Sequence, residues 1–463
     1  MTDAIHHIKT LRQRDMVLFT VSAILLPDTL AAAASSGASS ISWWLILAVF
    51  FLLPFGLISA ELGCSYPEQG GIYAWVRDAF GGRWATRITW CYWINVCLWL
   101  PAIFILCAGI FNQVFNLDVS LGTQIGLAVA LVWLTVGVNV VTLEIGKWIP
   151  NLGAITKVLL FAAIIAGAWR YMSLNEMANP MTLETLTPRW GEGLQYLPAI
   201  IYGMLGFELV SAGAEEMRDP TRDVPRAILY SGLTVIVLYL LGTAAILAAV
   251  PAADINLVEG LIDTLRLFLA DIPFGDVLVL ALGIGTLFAI FSSGVTWALG
   301  SNRAAAEAAL EGELPRWFGI ETVHNGTPLG AAVLMGSISS AALAMYGFFA
   351  GSNEDLFWSL FAFSGVLFLL PYLGMVIAFL RLRRQDPRHA RPFRVPGGAT
   401  GALLSTGLCL LGLLTAVLLF MFTPGSGAEW PVIVGVGAML VLGELVIRVA
   451  ESQAAEPPVP DGI

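Results

Sequence analysis

Long runs of apolar residues are the feature that most limits how this chain can fold. About 20 apolar residues are enough to cross the roughly 30 Å hydrocarbon core of a bilayer as a helix. We count twelve such runs in the 463 residues. Hydrophobic residues make up 57% of the chain and charged residues only 12%, about half the charged share of an ordinary soluble domain. The sequence therefore predicts an all-α integral membrane protein with twelve transmembrane helices, centred near residues 26, 53, 101, 132, 160, 206, 238, 288, 338, 370, 411 and 440.

The charge and cysteine patterns argue against several other kinds of site. The formal net charge is -10, and the 23 basic residues are dispersed along the chain, so no basic face is available to hold a phosphate backbone. The five cysteines lie mostly in apolar runs, without the spacing of a disulfide framework or a zinc site. We therefore expect no nucleic-acid partner, no metal and no cofactor. The sequence contains no catalytic motif that would indicate an enzyme.

Basic residues fall in alternate gaps between the apolar runs. Nineteen lysines and arginines lie on one side of the predicted helices, and three lie on the other. The positive-inside rule then predicts that both termini are cytoplasmic. The N-terminal segment also lacks the apolar core and cleavage site of a signal peptide. We expect the protein to reside in a bacterial inner (cytoplasmic) membrane.

Two apolar runs carry an acid next to residues that weaken a helix. In the first run, Pro27 removes a backbone donor, disfavours helix at the preceding residue, and is followed by Asp28. In the sixth run, Glu208 lies beside Gly203 and Gly206. An acid at membrane depth is costly and normally faces a bundle interior or a water-filled path. Two interrupted helices five spans apart indicate an inverted repeat with a binding site near the midplane.

A long motif follows the second apolar run. The segment 59–85 fits the pattern E-L-x-x-x-x-P-x-x-G-G-x-Y-x-W-V-x-x-A-F-G. The matching residues are Glu61, Leu62, Pro67, Gly70, Gly71, Tyr73, Trp75, Val76, Ala79, Phe80 and Gly81. On these residues the chain resembles the amino acid–polyamine–organocation transporters, and the segment 206–228 is similar to the sixth helix of that family. The second, third and fifth runs look most similar to the glutamate/GABA antiporter branch.

The resemblance implies a fold and a division of the chain. The expected fold is LeuT-like, with helices 1–10 forming a five-plus-five inverted repeat in which the first and sixth helices are discontinuous. The chain would then consist of a cytoplasmic N-terminal tail (1–15), a transporter core (16–395), helices 11 and 12 (396–450) and a cytoplasmic C-terminal tail (451–463). The oligomeric state is left open, with a homodimer among the alternatives.

The resemblance also implies which residues couple transport to protons. Glu208 would belong to a gate and proton-responsive network, since burial disfavours the charged form of a carboxylate. Lys157 would stand where sodium binds in sodium-coupled relatives. Because like charges repel strongly at low dielectric, we expect sodium-independent transport. A second interpretation remains for each residue: Glu208 only pins the sixth helix to a neighbour, and Lys157 snorkels to an interface.

We expect substrate contacts at the two interrupted helices and at the aromatic residues around them. In the family, aromatic side chains at such places cap the substrate, and they can stack on a cation. Core packing is the competing explanation for any one aromatic residue taken singly. The expected substrate-binding residues are Ala23, Ile24, Asp28, Tyr92, Tyr202, Gly203, Gly206, Phe207 and Trp297.

The first interrupted helix departs from the family pattern. Most members have a glycine-rich bend there, whose amides hold the substrate carboxylate, whereas this chain reads LLPDTL and has no glycine before Gly37. Asp28 would repel a carboxylate and attract an ammonium group, unless it serves only as a helix cap. We therefore expect a secondary active transporter, proton-coupled or an exchanger, for amino acids or amine-bearing cations such as polyamines. The alternatives are an amino acid/decarboxylation-product antiporter of the glutamate/GABA type and a non-transporting amino acid sensor.

Overall fold

The computed structural model of the chain describes residues 13–67, 71–141, 143–188, 194, 196–212, 219–258, 260–322, 326–425 and 427–455. Within these ranges the protein is built from α-helices. The helices are α1 (Gln13–Ile24), α2 (Pro27–Ser35), α3 (Ser39–Leu47), α4 (Leu53–Ser65), α5 (Ile72–Phe80), α6 (Gly82–Val114), α7 (Leu121–Val141), α8 (Leu143–Leu174), α9 (Leu183–Leu186), α10 (Leu197–Tyr202), α11 (Leu209–Ala212), α12 (Pro220–Ala249), α13 (Gly260–Leu269), α14 (Gly275–Leu310), α15 (Leu329–Phe349), α16 (Asn353–Gln385), α17 (Gly398–Met421) and α18 (Trp430–Ala455). The remaining elements are a π-helical turn (Ala48–Leu52), two 3₁₀ turns (Ala252–Asp254 and Arg316–Gly319) and a hairpin of β1 (Phe422–Thr423) and β2 (Gly427–Ala428).

Ten continuous helical segments in the described part of the chain are long and apolar enough to cross a membrane. The pair α1 and α2 is an eleventh candidate, bent by 50°. Instead of one long helix near residue 206, the chain forms the short helices α10 and α11 on either side of residues 203–208. The predicted helical membrane fold is therefore confirmed, with ten predicted centres in continuous helices and the other two in interrupted ones.

The first interruption follows from Pro27. Leu26 is extended, with φ -114° and ψ 124°, and Pro27 occupies the first position of α2, as the restriction on residues before proline predicts. A break leaves backbone groups without helical partners. The hydroxyl of Tyr239 on α12 serves both sides of the gap: it accepts a hydrogen bond from the Leu26 amide at 2.8 Å and donates one to the Ile24 carbonyl at 2.7 Å.

The second interruption follows from Gly206. Its φ of +118° lies in a region that side chains with a Cβ rarely adopt. The chain leaves α10 at Tyr202 and resumes helical geometry at Leu209. The sequence therefore identified both breaks correctly, because a proline and a positive-φ glycine act locally.

The helices α6 and α16 form the centre of the bundle. Within the most apolar 18-residue stretch of each helix, 94% of the residues are buried in α6 and 78% in α16. The corresponding shares are 33% in α17 and 22% in α18. A helix that is apolar and buried on all sides belongs in the core of a bundle. Side chains that α6 and α16 direct at the two interruptions are therefore shielded from lipid.

The segment after the second span forms the amphipathic helix α5. Gly71 and Gly81 flank it with φ angles of +49° and +91°, and the indole of Trp75 donates a hydrogen bond to the Tyr66 carbonyl at 3.0 Å. The helix therefore packs back on the end of α4. Gly70 of the motif and residues 213–218 of the segment 206–228 lie outside the described residues.

Candidate substrate site

The two helix interruptions face one another inside the bundle. A Cβ atom added at Gly206 would stand 2.9 Å from Cγ1 of Ile24, and one added at Gly203 would stand 2.7 Å from Cγ2 of Thr29. Both distances are shorter than a van der Waals contact between carbons. The structure thus brings the predicted residues Ile24, Gly203 and Gly206 into one place, and glycine is what permits the approach.

Glu208 is buried at the end of the unwound segment. Its Oε1 accepts a hydrogen bond from the hydroxyl of Tyr372 on α16 at 2.8 Å. The backbone amides of Gly206 and of Glu208 itself also interact with the carboxylate. A buried carboxylate is tolerated when donors or a cation compensate for its lost hydration. The arrangement can hold a charged Glu208 with these donors, or a neutral one after proton uptake.

Trp297 lies beside the first interruption. Its indole Nε1 donates a hydrogen bond to the carbonyl of Ala23 at 3.3 Å. Its ring centroid is 6.1 Å from that of Tyr92, 6.2 Å from that of Trp99 and 5.5 Å from that of Phe368. The structure therefore brings the predicted residues Ala23, Tyr92 and Trp297 together, at distances typical of tilted and edge-to-face aromatic pairs.

The two remaining predicted aromatic residues, Tyr202 and Phe207, pack against different neighbours. Tyr202 packs against Phe368, with 4.6 Å between ring centroids, and so joins the cluster around Trp297. Phe207 is fully buried and packs against Phe55 of α4, at 6.3 Å. Phe55 in turn contacts the ring of Tyr372 at 5.6 Å. Phe207 thus contributes to the packing behind Glu208.

Lys157 is fully buried in α8. Its ammonium group donates a hydrogen bond to the carbonyl of Ser22 in the last turn of α1. The hydroxyl of Ser22 donates to the carbonyl of Pro150 at 3.2 Å, also in α8. Because Lys157 is enclosed, snorkelling does not explain its position. When protonated, this side chain places a positive charge at the C-terminal end of α1, where the helix dipole favours a cation.

The backbone of Asp28 occupies the first turn of α2, directly after Pro27. Its side chain lies outside the described residues. A negative charge in the first turn of a helix is stabilised by the helix dipole. The adjacent Thr29 is buried, and its Oγ1 would be 3.4 Å from a Cβ at Gly203. The start of α2 therefore borders the second interruption.

Sequence reasoning missed several residues of the site. Tyr372, Phe368 and Trp99 lie in long apolar helices without a motif, and Tyr239 lies in α12 far from either break in sequence. On α6, Tyr92 and Trp99 are seven residues apart and so share one helix face. This spacing alone could have linked Trp99 to Tyr92. The other contacts needed the packing of α12 and α16.

Among the described residues, no group of three or more histidine, cysteine, aspartate or glutamate side chains is arranged to hold a metal ion.

Comparison with known proteins agrees with the motif. The amino acid permease family profile matches residues 11–443. A probable agmatine/putrescine antiporter of Lactococcus lactis is 32% identical over 424 residues, which cover 89% of each chain. A glutamate/gamma-aminobutyrate antiporter of the same species is 22% identical over 82% of this chain and 77% of its own length. A polyamine transporter of Oryza sativa is 25% identical over 78% of this chain and 64% of its own.

These matches confirm the resemblance to the amino acid–polyamine–organocation transporters. The family profile extends through the interrupted helices and the central helices α6 and α16, so it includes the whole candidate site. The chain belongs to the amino acid permease family of membrane transporters.

Proposed function

We propose that the protein is an antiporter that exchanges amine-bearing organic cations across the membrane by alternating access around its two interrupted helices. The names of its relatives support this substrate class, since one is described as an agmatine/putrescine antiporter and another as a polyamine transporter. The proposal also agrees with the departure of the LLPDTL segment from the glycine-rich bend of carboxylate-binding members.

One observation carries the proposal: the carboxylate of Glu208 is buried two residues beyond Gly206, which faces Ile24 of the first interruption, and it is bound to Tyr372. A cationic substrate between α2 and the 203–208 segment would supply the positive counter-charge that a buried carboxylate needs. A proton on Glu208 would serve the same purpose when the substrate is absent. The amine and the proton would then compete for the Glu208 carboxylate. The protein would change conformation only when one of them is bound there.

Three buried polar atoms near the interruptions support a ligand with several polar groups. Within the described residues, Thr29 Oγ1, Asn95 Oδ1 and Trp99 Nε1 are buried and have no hydrogen-bond partner. Asn95 lies on α6 between Tyr92 and Trp99, on the face that meets Trp297. Buried polar atoms are rarely left without partners in native structures. An acceptor such as Asn95 Oδ1 would suit an amine or guanidine group at one end of the substrate.

We include in the same proposal the number of membrane spans, their repeat and the orientation of the termini. Counting the pairs α1–α2 and α10–α11 as one span each gives the twelve spans that the sequence predicts. The two pairs would occupy equivalent positions in a LeuT-like five-plus-five repeat, with α17 and α18 outside it. Both termini would lie in the cytoplasm of a bacterial cell, on the side where the arginines concentrate.

Lys157 supports sodium independence. Its enclosed ammonium group is bound to α1 just before the break. A fixed cation at this point disfavours a second, mobile cation in the same low-dielectric space. We therefore propose that exchange needs neither sodium nor an enzymatic step.

The direct test uses purified full-length protein in proteoliposomes. Vesicles loaded with unlabelled putrescine should accumulate labelled agmatine from outside, and vesicles without internal amine should not. Replacing external sodium by choline should leave the rate unchanged. Equal uptake by empty vesicles would rule out exchange, and a strong sodium requirement would overturn the role of Lys157.

Two other functions have distinct outcomes in the same vesicles. Exchange of glutamate for gamma-aminobutyrate, without amine exchange, would favour the glutamate/GABA type to which one relative belongs. Amine binding by the purified protein without any flux would favour the sensor.

A further inference from the structure

The connection between α16 and α17 is folded onto the end of α4 by one buried carboxylate. Glu61 is 1% exposed. Nε of Arg383 donates to its Oε1 at 2.6 Å, and the backbone amide of Val395 donates to its Oε2 at 2.6 Å. Nε of Arg391 lies 3.5 Å from Oε1. Both ends of the connection therefore bind the same carboxylate.

Further contacts fix the middle of this connection. The guanidinium of Arg391 donates to the carbonyl oxygens of Asp386 at 2.9 Å and of His389 at 3.1 Å. The ring of His389 stacks on that of Tyr66, with 4.4 Å between centroids. The connection is therefore an ordered surface, held by interactions with α4 and with its own backbone.

The outer face of this surface is strongly basic. Segment 381–394 contains six arginines and one acid, Asp386. Glu61 binds two of the arginines, and the other four, Arg381, Arg384, Arg388 and Arg394, are exposed. The single acid pairs with His389, at 3.3 Å. The exposed positive charges therefore exceed the negative charge beside them.

These arginines lie at the rim of the lipid-facing surface. The connection joins two candidate membrane spans, Asn353–Gln385 and Gly398–Met421. Ile377, Arg381 and Arg384 have i, i+4, i+7 spacing and so share one face of α16. Ile377 is 46% exposed, and Leu404, near the start of α17, is 62% exposed. Exposed apolar side chains of the two spans thus adjoin the arginine-bearing connection along the chain, and we expect the guanidinium groups at headgroup level.

We propose that Arg384, Arg388 and Arg394 form a binding surface for the headgroups of anionic phospholipids. Guanidinium groups bind phosphate oxygens through paired, charge-assisted hydrogen bonds. Clusters of four or more basic residues next to a membrane span attract anionic lipid. Because Glu61 already binds the inner arginines, lipid phosphate would meet a preorganised surface. The bound lipid would hold the α16–α17 connection on α4. This inference does not depend on which substrate is transported.

The test compares lipids on full-length protein purified in a neutral detergent. Thermal unfolding is followed while phosphatidylglycerol, phosphatidylcholine or inorganic phosphate is added. We expect a rise in Tm with phosphatidylglycerol alone, and we expect added salt to weaken it, because exposed charges are screened. A rise of the same size with phosphatidylcholine or inorganic phosphate would overturn the proposal.

Variants locate the effect on the protein. The triple variant Arg384→Gln, Arg388→Gln, Arg394→Gln should lower the apparent affinity for phosphatidylglycerol on the order of 100-fold. This factor combines the usual contributions of three arginines near an anionic surface. The control carries the same charge change elsewhere on the predicted cytoplasmic side: Arg222→Gln, Arg226→Gln, Arg303→Gln. It should respond like the wild type. Equal changes in Tm of the two triple variants on addition of phosphatidylglycerol would contradict the proposal.

The charge-retaining triple variant Arg384→Lys, Arg388→Lys, Arg394→Lys keeps the test decisive if the glutamine variant does not fold. It should keep most of the phosphatidylglycerol response. Complete loss of the response in this folded variant would show that the charge of the surface is not what binds the lipid.

Discussion

The hydroxyl of Tyr372 lies 2.8 Å from Oε1 of Glu208 and joins the central helix α16 to the interrupted sixth segment. This bond links a buried helix to a segment in which the regular helical hydrogen-bond pattern is interrupted. Any change in the charge of Glu208 therefore changes how firmly the segment is held to the bundle.

Glu208→Gln should abolish most of the pH dependence of amine exchange between roughly pH 5 and 8, since a neutral amide cannot change charge over the range in which perturbed acids titrate. The amide oxygen still accepts the hydrogen bond from Tyr372, so the fold should persist. Tyr372→Phe keeps the ring and removes the hydroxyl. It should move the pH profile without flattening it. Identical profiles for wild type and Glu208→Gln, measured as initial exchange rates, would contradict the role of the carboxylate.

Asp28→Asn should weaken amine affinity about 10- to 100-fold, which corresponds to the loss of one charge-assisted contact of about 1.5–3 kcal/mol. The reason is that a carboxylate attracts an ammonium group and an amide does not. Equilibrium binding to purified protein measures it directly. Unchanged affinity together with a lowered Tm would assign Asp28 to helix capping instead.

Gly206→Ala should destabilise the protein by about 1–3 kcal/mol, the usual cost of a side chain in a disfavoured backbone region. At φ +118° the new Cβ would also stand 2.9 Å from Ile24. The matched control is Gly300→Ala on α14, where a Cβ would meet nothing within 4 Å and where alanine favours the helix. Tm in detergent should fall for the first variant and stay the same or rise for the second. Equal shifts would show that the approach of the two interruptions is not tight.

We expect the stability of the protein to depend on pH through Glu313, which lies just after the end of α14. Burial raises the pKa of this carboxyl above its ordinary 4.5, with a smaller effect in the same direction from Glu311, while hydrogen bonds from Tyr73 and Thr86 oppose the rise. A raised pKa in the folded state stabilises the protein below pH 4.5, and this contribution is lost as the pH rises through the folded-state pKa. Glu313→Gln should therefore raise Tm at neutral pH, and the gain should vanish below about pH 4.5.

The control for this prediction is Glu176→Gln, an exposed acid outside any helix. Its Tm should follow that of the wild type at every pH. A gain for Glu313→Gln that persists unchanged in acid would show that its cause is not protonation.

Features that depend on neighbouring residues in the chain were predictable from the sequence. Pro27 sets the conformation of Leu26 through a local clash, and Gly206 permits a positive φ, so both interruptions were expected where they occur. The membrane spans follow from run length and hydropathy, which set the number of residues needed to cross hydrocarbon. The motif at 61–81 identified the family, because its order of residues is specific.

Contacts between distant segments were not predictable in this way. The bond from Tyr372 to Glu208 joins residues 164 positions apart, and Tyr239 bridges a break more than 200 positions away. Within an apolar helix, one tyrosine has the same local pattern as another. Only the packing of α12 and α16 decides which hydroxyl meets an unsatisfied group.

The sequence by itself determined that the chain spans a membrane, where two of its helices are interrupted and which acids lie beside the interruptions. These features depend on hydrophobicity and on backbone restrictions that act over a few residues. The tertiary structure decided that the two interruptions face one another, that Glu208 is bound to Tyr372, and that Phe207 packs behind the site while Trp297 borders it. These relationships depend on how helices far apart in sequence pack together, since that packing determines which side chains meet.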